Sequence, residues 1–208
     1  MSALKPNALA HSTQGAPRPR LSSVDPFAAT VPDGEAPHAG LEALAVKTAT
    51  AIRSITARSR GLRGVFLTLA QQHAQAAALL ATLEAQTQPR ERAASWSHVR
   101  TVLLAHERTE NELLVPALGR FGLTRELASQ HAQEAGQLEA LVAQIQDLAP
   151  SDPRFMPKVA ELAGWMRQHA EEEENVWFVA AQEVLTEERT EQLDAAFLEA
   201  QALIQVEI

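Results

Sequence analysis

The 208-residue chain contains neither cysteine nor tyrosine. Without a thiol there can be no disulfide, no thiolate metal site, no iron–sulfur ligation and no cysteine nucleophile. The missing tyrosine carries no functional reading. Strand signals are nearly absent, and Ala, Leu, Glu and Gln, which favour helix, dominate. No apolar run approaches the roughly 18 residues of a membrane span, and the N-terminus lacks the apolar stretch of a signal peptide. The expectation is a soluble, cytoplasmic protein with no membrane partner. Positive charge is in short supply, at 18 Lys and Arg against 26 Asp and Glu, a formal net charge of -8. That balance argues against a nucleic-acid partner and leaves a monomer or a homodimer equally open.

The length suffices for one domain with a sizeable core. Residues 1–40 stand apart: Pro6, Pro17, Pro19, Pro26, Pro32 and Pro37 fall there among Ser, Thr and Ala. Such a stretch buries too little apolar surface to offset its ordering entropy, so a disordered tail is expected. A helical pattern of Leu41, Leu44, Ile52 and Ile55 gives an accessory helix over 41–60, closed by Gly61 and Gly64. Four longer helical patterns then fill 61–183, at about 64–87, 91–119 and 125–148, and from the Pro150/Pro153/Pro157 connection to about Gln182. Thr124 is a candidate N-cap for the third of these. A last helix over 186–206 opens at Thr186 and carries Leu193, Phe197, Ala200 and Ile204 on one face. The accessory and last helices are expected to pack outside the four.

Each of the four central patterns has a histidine in its hydrophobic seam. The first runs Phe66, Leu69, His73, Ala76, Leu80, Leu83, and the second Val99, Leu103, His106, Glu110, Leu113, Ala117. The third runs Leu127, His131, Glu134, Leu138, Leu141, Ile145, and the fourth Val159, Leu162, Met166, His169, Glu173, Val176, Ala180. This three-and-four spacing is that of packed helices, and the histidines take positions reserved for Leu or Val. Up-down-up-down packing about turns near Pro89, Gly122 and Asp152 brings the four histidines to a similar height, within roughly one to two helical turns at about 1.5 Å per residue. Unpartnered polar groups inside a bundle cost several kcal/mol each, so a metal centre is the economical explanation.

Residues i and i+4 share a helix face. His106 with Glu110, and His169 with Glu173, can therefore address one cluster. Imidazole with carboxylate suits Fe, Mn, Zn, Ni or Cu better than Mg or Ca. A carboxylate can also bridge two ions. Six protein donors do not saturate two six-coordinate ions, so positions remain for water, O₂ or NO. Glu134, in the third seam, and Glu107, beside His106, are further candidate donors. Alternatively, they bond an imidazole N–H from outside. Within the run Glu171–Glu174, only Glu173 is expected to point inward. His98 flanks the seam, and His11 and His38 carry no signal. Trp165 and Trp177 bracket His169 and are read as core packing that could also shield the site.

The order His, His-x-x-x-Glu, His, His-x-x-x-Glu over four helices resembles the hemerythrin-like, or HHE cation-binding, domain. The strings that carry the resemblance are Gln72-His73, His106-Glu107-Arg108-Thr109-Glu110-Asn111-Glu112-Leu113, His131, and His169-Ala170-Glu171-Glu172-Glu173-Glu174-Asn175-Val176-Trp177, within about residues 62–182. The resemblance implies an all-α, antiparallel up-down-up-down four-helix bundle, here with an extra helix at each end. It implies a non-haem centre of two iron ions, oxo- or hydroxo-bridged, with metal ligands at His73, His106, Glu110, His131, His169 and Glu173. Glu110 and Glu173 would bridge. One departure stands out: oxygen-carrying hemerythrins have a second histidine four residues after the one in the third helix, where this chain has Ala135. A ferritin-like carboxylate bundle would place Glu three residues before His. Here Ala70, Leu103, Ala128 and Met166 stand there.

Three functions follow as expectations: binding or sensing of O₂ or NO at an open di-iron site; storage, delivery or repair of iron; and peroxidase or ferroxidase chemistry on O₂ or peroxide. The sequence leans away from an enzyme, because no substrate pocket can be named from it.

Overall fold

The computed structural model describes residues 36–207, with side chains from residue 40 to residue 204. The tail expected over 1–40 falls outside the described residues as far as residue 35. The described residues form helices α1 (Ala36–Ser59), α2 (Val65–Ala85), α3 (Pro89–Thr109), α4 (Val115–Leu118), α5 (Arg125–Gln146), α6 (Phe155–Glu172), α7 (Phe178–Val184) and α8 (Glu187–Glu207). Five-residue π-helical turns join α3 to α4 (Glu110–Leu114) and α6 to α7 (Glu173–Trp177). Counting α3 with α4, and α6 with α7, four long antiparallel segments close a ring. In it, α2 lies beside α3 and α6, and α5 beside α4 and α6. The architecture is the all-helical bundle with a helix added at each end. Among the described residues, no helix is long and apolar enough to cross a membrane.

Local chemistry explains the boundaries. Pro89 opens α3, where its missing N–H costs nothing. Pro157 is not in the connection, as expected from sequence, but in the first turn of α6, where backbone N–H groups have no helical partner anyway. Thr124 stands before α5, yet its hydroxyl does not cap that helix. It donates to Leu118 O at 2.6 Å and closes the preceding turn. Thr186 does act as a cap, accepting the Arg189 N–H at 3.2 Å. Gly64 has φ 52°, and a Cβ there would lie 2.7 Å from the Thr190 backbone. Glycine therefore admits both the tight turn before α2 and the close seating of α8.

The apolar interior falls into two clusters. One contains Leu79, Leu83, Trp96, Leu103, Leu138, Ile145, Phe155 and Leu162. The other contains Phe66, Leu69, Leu114, Leu118, Trp177, Phe178 and Phe197. Each histidine lies in sequence between a residue of one cluster and a residue of the other: His73 between Ala70 and Ala76, His106 between Leu103 and Leu114, His131 between Ala128 and Leu138, His169 between Met166 and Trp177. The polar residues thus form a layer sandwiched by hydrocarbon. Helix α8 covers α2 and α3 through Leu193 and Phe197. Helix α1 exposes its apolar stripe: Leu41, Leu44, Ile52 and Ile55 are 60–70% accessible. Its inner face is instead polar and small, with Ser54, which accepts from Gln71 at 2.8 Å, and buried Ala57.

Candidate metal centre

The six residues singled out in the sequence come together, and Glu107 joins them. One nitrogen or oxygen from each of Glu107, Glu110, His131 and His169 lies within 4.8 Å of the others, and so does one from each of His73, His106 and Glu173. These groups are called A and B below. Two carboxylates reach across. Glu110, of group A, is 3.6 Å from His106 Nε2 of group B. Glu173, of group B, is 2.8 Å from His131 Nε2 and 3.7 Å from His169 Nε2 of group A. All seven residues are at most 4% exposed. The inward atoms face one another at ion-pair distance, His73 Nε2 3.0 Å from Glu173 Oε2 and His169 Nε2 3.0 Å from Glu107 Oε1, yet Nε2 of His73, His106 and His169, Oε1 of Glu110, and both oxygens of Glu107 and Glu173 make no well-formed hydrogen bond. Buried polar atoms are normally satisfied, so this set of donors fits a cation.

The π turns shape the layer. Each begins at a cluster carboxylate, and its backbone closes with the wider i→i+5 bond, Val115 N–H to Glu110 O and Phe178 N–H to Glu173 O. Asn111 donates to Glu107 O at 3.1 Å and Asn175 to Glu171 O at 2.6 Å, bonding carbonyls in the preceding turns. Pro116, just beyond the first, has no N–H to offer a regular helix. Such single-turn bulges are frequent at functional sites.

The second turn overturns one expectation. Glu174 does not belong to a solvated face; it is 2% exposed. Its Oε1 accepts from His73 Nδ1 at 3.0 Å and pairs with Arg53 Nη2 at 2.9 Å. The π turn carries Glu174 inward beside Glu173. The other outer supports are Gln72 Oε1, 2.9 Å from His106 Nδ1, and Glu134 Oε2, 3.2 Å from His169 Nδ1. Glu134 therefore bonds the outer nitrogen of His169, while Glu107 lies 3.0 Å from its inner Nε2. An oxygen acceptor on Nδ1 fixes the tautomer and leaves Nε2 as a donor atom. His131 Nδ1 alone lacks such a partner.

Every imidazole also has an aromatic neighbour. Phe178 stacks on His73 at 5.9 Å, Trp165 stacks on His169 at 4.8 Å, Trp177 tilts against His131 at 4.5 Å, and Phe197 meets His106 edge-on at 6.5 Å. His98 stays at the surface, bonded to Glu42 at 2.9 Å. A cavity of about 550 Å³ between α1, α2 and α6, lined by seven alanines together with Arg53, Glu84, Arg167 and Glu171, reaches His73. Another of about 300 Å³, with Gln130, Glu134 and Glu172 in its walls, reaches His131 and Glu173.

Burial and mutual proximity shift the titration of these groups. Burial, reinforced by the charges of Glu173 and Glu107, pushes the Glu110 carboxyl well above its usual range. Burial, with His73 close by, pushes His106 well below the usual imidazole value. Burial would also lower His169, but Glu173, Glu107 and Glu134 outweigh it and leave it well above. His73 is raised in the same way: Glu173 and Glu174 outweigh its burial. Burial opposes ionisation of Glu173, yet His169, His73 and His131 hold it at about 2. Three buried carboxylates and four imidazoles are a set that divalent cations would neutralise.

The hemerythrin HHE cation binding domain family matches residues 66–181. The chain belongs to that family. A DNA nickase from Nostoc sp. is 35% identical over 106 residues, which are 50% of this chain and 29% of that protein. The chain thus spans under a third of the curated relative it matches. No solved structure matches the chain. Membership of a cation-binding family agrees with the clustered donors, and the matched segment contains all seven of them. Helices α1 and α8 lie outside it. At the position where oxygen-carrying members have their extra histidine, Ala135 is buried and brings no donor, whereas Glu107 brings a carboxylate to the same group as His131 and His169.

Proposed function

We propose that this HHE domain holds a non-haem di-iron centre and binds a small ligand, O₂, NO or peroxide, at one of its two irons. The observation that supports this best is the pair of donor groups crossed by two carboxylates. His131, His169 and Glu107 would serve the iron at A, His73 and His106 the iron at B, and Glu110 and Glu173 would bridge. Two divalent ions would bring four positive charges against the three carboxylates. Bound there, the irons would supply redox chemistry and an affinity for diatomic ligands. An ion at B would have one private donor fewer than one at A, which would leave room for a small ligand there. There His73 borders the cavity between α1, α2 and α6, whose walls combine alanines with the charged groups of Arg53, Glu84, Arg167 and Glu171. The protein's own part is to orient His73, His106 and His169 through their Nδ1 bonds and to exclude water with Phe178, Trp177, Trp165 and Phe197. Glu107 in place of a further histidine enriches the oxygen donors at A. That favours higher oxidation states and directs the reading toward sensing or iron handling rather than reversible carriage.

Metal analysis of the purified chain tests this reading. About two irons per chain are expected, with none retained in His106→Ala/His169→Ala, and new visible absorption when O₂ or NO meets the reduced protein. Iron content unchanged in the double variant would overturn it.

The relative named a DNA nickase supports a second reading. A bridged pair of cations can also clamp the attacking and leaving oxygens of a phosphodiester. The net charge of -8 disfavours docking on a polyanion. Conversion of supercoiled plasmid to open circles by the metal-loaded chain, and not by the double variant, would put this reading first.

A further inference from the structure

The two helices outside the matched segment each end a hydrogen-bond relay on a histidine of group B, and neither reaches group A. From α1, Arg53 Nη2 pairs with Glu174 Oε1 at 2.9 Å, and Glu174 holds His73 Nδ1 at 3.0 Å. Arg60, at the foot of α1, donates to Glu174 O at 2.8 Å and to Asn175 Oδ1 at 2.7 Å, fastening the π turn that bears Glu173 and Glu174. From α8, Gln201 and Gln72 form a reciprocal amide pair at 2.8 and 2.9 Å, and Gln72 Oε1 also accepts from His106 Nδ1 at 2.9 Å. In group A, the supports come from within the bundle or are missing. His169 has Glu134 of α5, and His131 Nδ1 has nothing.

We propose that α1 and α8 are outer supports for one metal position only, B, acting through the positioning residues Glu174 and Gln72. The inference rests on the two-metal reading above and adds to it that the two positions are tuned separately. The physical reason is orientation. An imidazole whose Nδ1–H is held by a fixed oxygen presents Nε2 in one direction and as a stronger donor. Removal of such a support typically weakens metal affinity 10–100-fold. Arg53 and Arg60 also neutralise Glu174, so the support for His73 is a clamped carboxylate, whereas His106 leans on a neutral amide. Because both supports lie on separate helices, any event that lifts α1 or α8 would change B while leaving A loaded.

Cobalt(II) titration of the full chain, followed by visible absorption and calorimetry, tests this. The wild type is expected to take up two equivalents. In Arg53→Ala, and separately in Gln201→Leu, one equivalent is expected to weaken about 10–100-fold and the other to stay within about threefold. Arg53→Lys, which keeps the charge, should recover part of the loss. If Arg53→Ala fails to fold by circular dichroism, Gln201→Leu carries the same comparison. Equal weakening of both equivalents, or of neither, overturns the inference while leaving the two-metal reading intact. A wild type that binds no cobalt overturns that reading, and the inference with it.

Discussion

Replacing Glu110 by Gln should have opposite effects on the metal-free and the metal-loaded protein. Glu110 is fully buried, its Oε1 has no hydrogen-bond partner, and burial with neighbouring Glu173 and Glu107 raises its pKa well above the ordinary carboxylate value. A carboxyl raised in the folded state binds a proton that the unfolded chain has released. Its contribution is therefore fully present below the ordinary carboxyl range and is lost as pH rises toward the folded value. At neutral pH without metal, Glu110 is a burden, and a neutral side chain of the same shape relieves it. Glutamine can still accept from His131 Nε2, which lies 3.0 Å from Glu110 Oε2. Removing the cost of protonating that buried carboxyl at neutral pH is worth about 1–3 kcal/mol, or roughly 2–10 °C in Tm for a chain of this size.

With metal the sign reverses. Glu110 lies within reach of both donor groups, and its charge would be shared by two cations. Bound metal stabilises by RT ln(1 + [L]/Kd), and each tenfold loss of affinity removes about 1.4 kcal/mol of that gain. If the loss is about 10–100-fold at each ion, as for weakened metal sites generally, the variant forfeits about 3–5 kcal/mol of metal-induced stabilisation. The assay is thermal unfolding of both proteins, once with chelator and once with saturating cobalt(II) under nitrogen. Repeating the chelator arm near pH 4 should erase the difference between the proteins, because Glu110 is then protonated in both states. A variant that is less stable than wild type in chelator, yet gains as much from metal, would refute the reasoning.

Metal uptake should rise with pH. Bound metal displaces the protons held on His73 and His169, whose pKa values are raised in the metal-free protein. Calorimetry in buffers of different ionisation enthalpy would show proton release between about pH 6 and 8, and loading indifferent to pH would refute it. Gly64→Ala should cost about 1–3 kcal/mol through its positive φ, with a further penalty from a Cβ 2.7 Å from the Thr190 backbone; a Tm drop of at least roughly 2 °C is expected. Gly136→Ala is the control, because a Cβ there meets nothing within 4 Å. In mid-helix it should stabilise by about 0.5–1 kcal/mol.

The residues legible in the sequence and those that were not are separated by one feature, the register of the helices around the two carboxylates. A 3.6-residue period is enough to find four seams and the histidine in each, because Leu69, Leu103, Leu138 and Leu162 above and below them are ordinary core residues. The same period gives His106 with Glu110 and His169 with Glu173, since both pairs end at the first residue of a π turn. Beyond that point the regular wheel fails. It assigns Glu174 to the outside, whereas the five-residue turn carries it inward onto His73. It also ranks Glu107 and Glu134 as rivals for one role, because spacing cannot say which nitrogen of His169 each carboxylate meets. The structure gives Nε2 to Glu107 and Nδ1 to Glu134. A cue was present in Asn111 and Asn175, one and two residues after the cluster carboxylates, whose side-chain amides bond to carbonyls one turn back. Pairing such an asparagine with an inward glutamate marks where a helix can widen. Widening there turns a single inward glutamate into two neighbours with different tasks, one facing the donor layer and one holding an imidazole from behind. For this reason the outer support of His73 ends on α1, a helix that the sequence pattern alone placed outside the bundle with no connection to its centre.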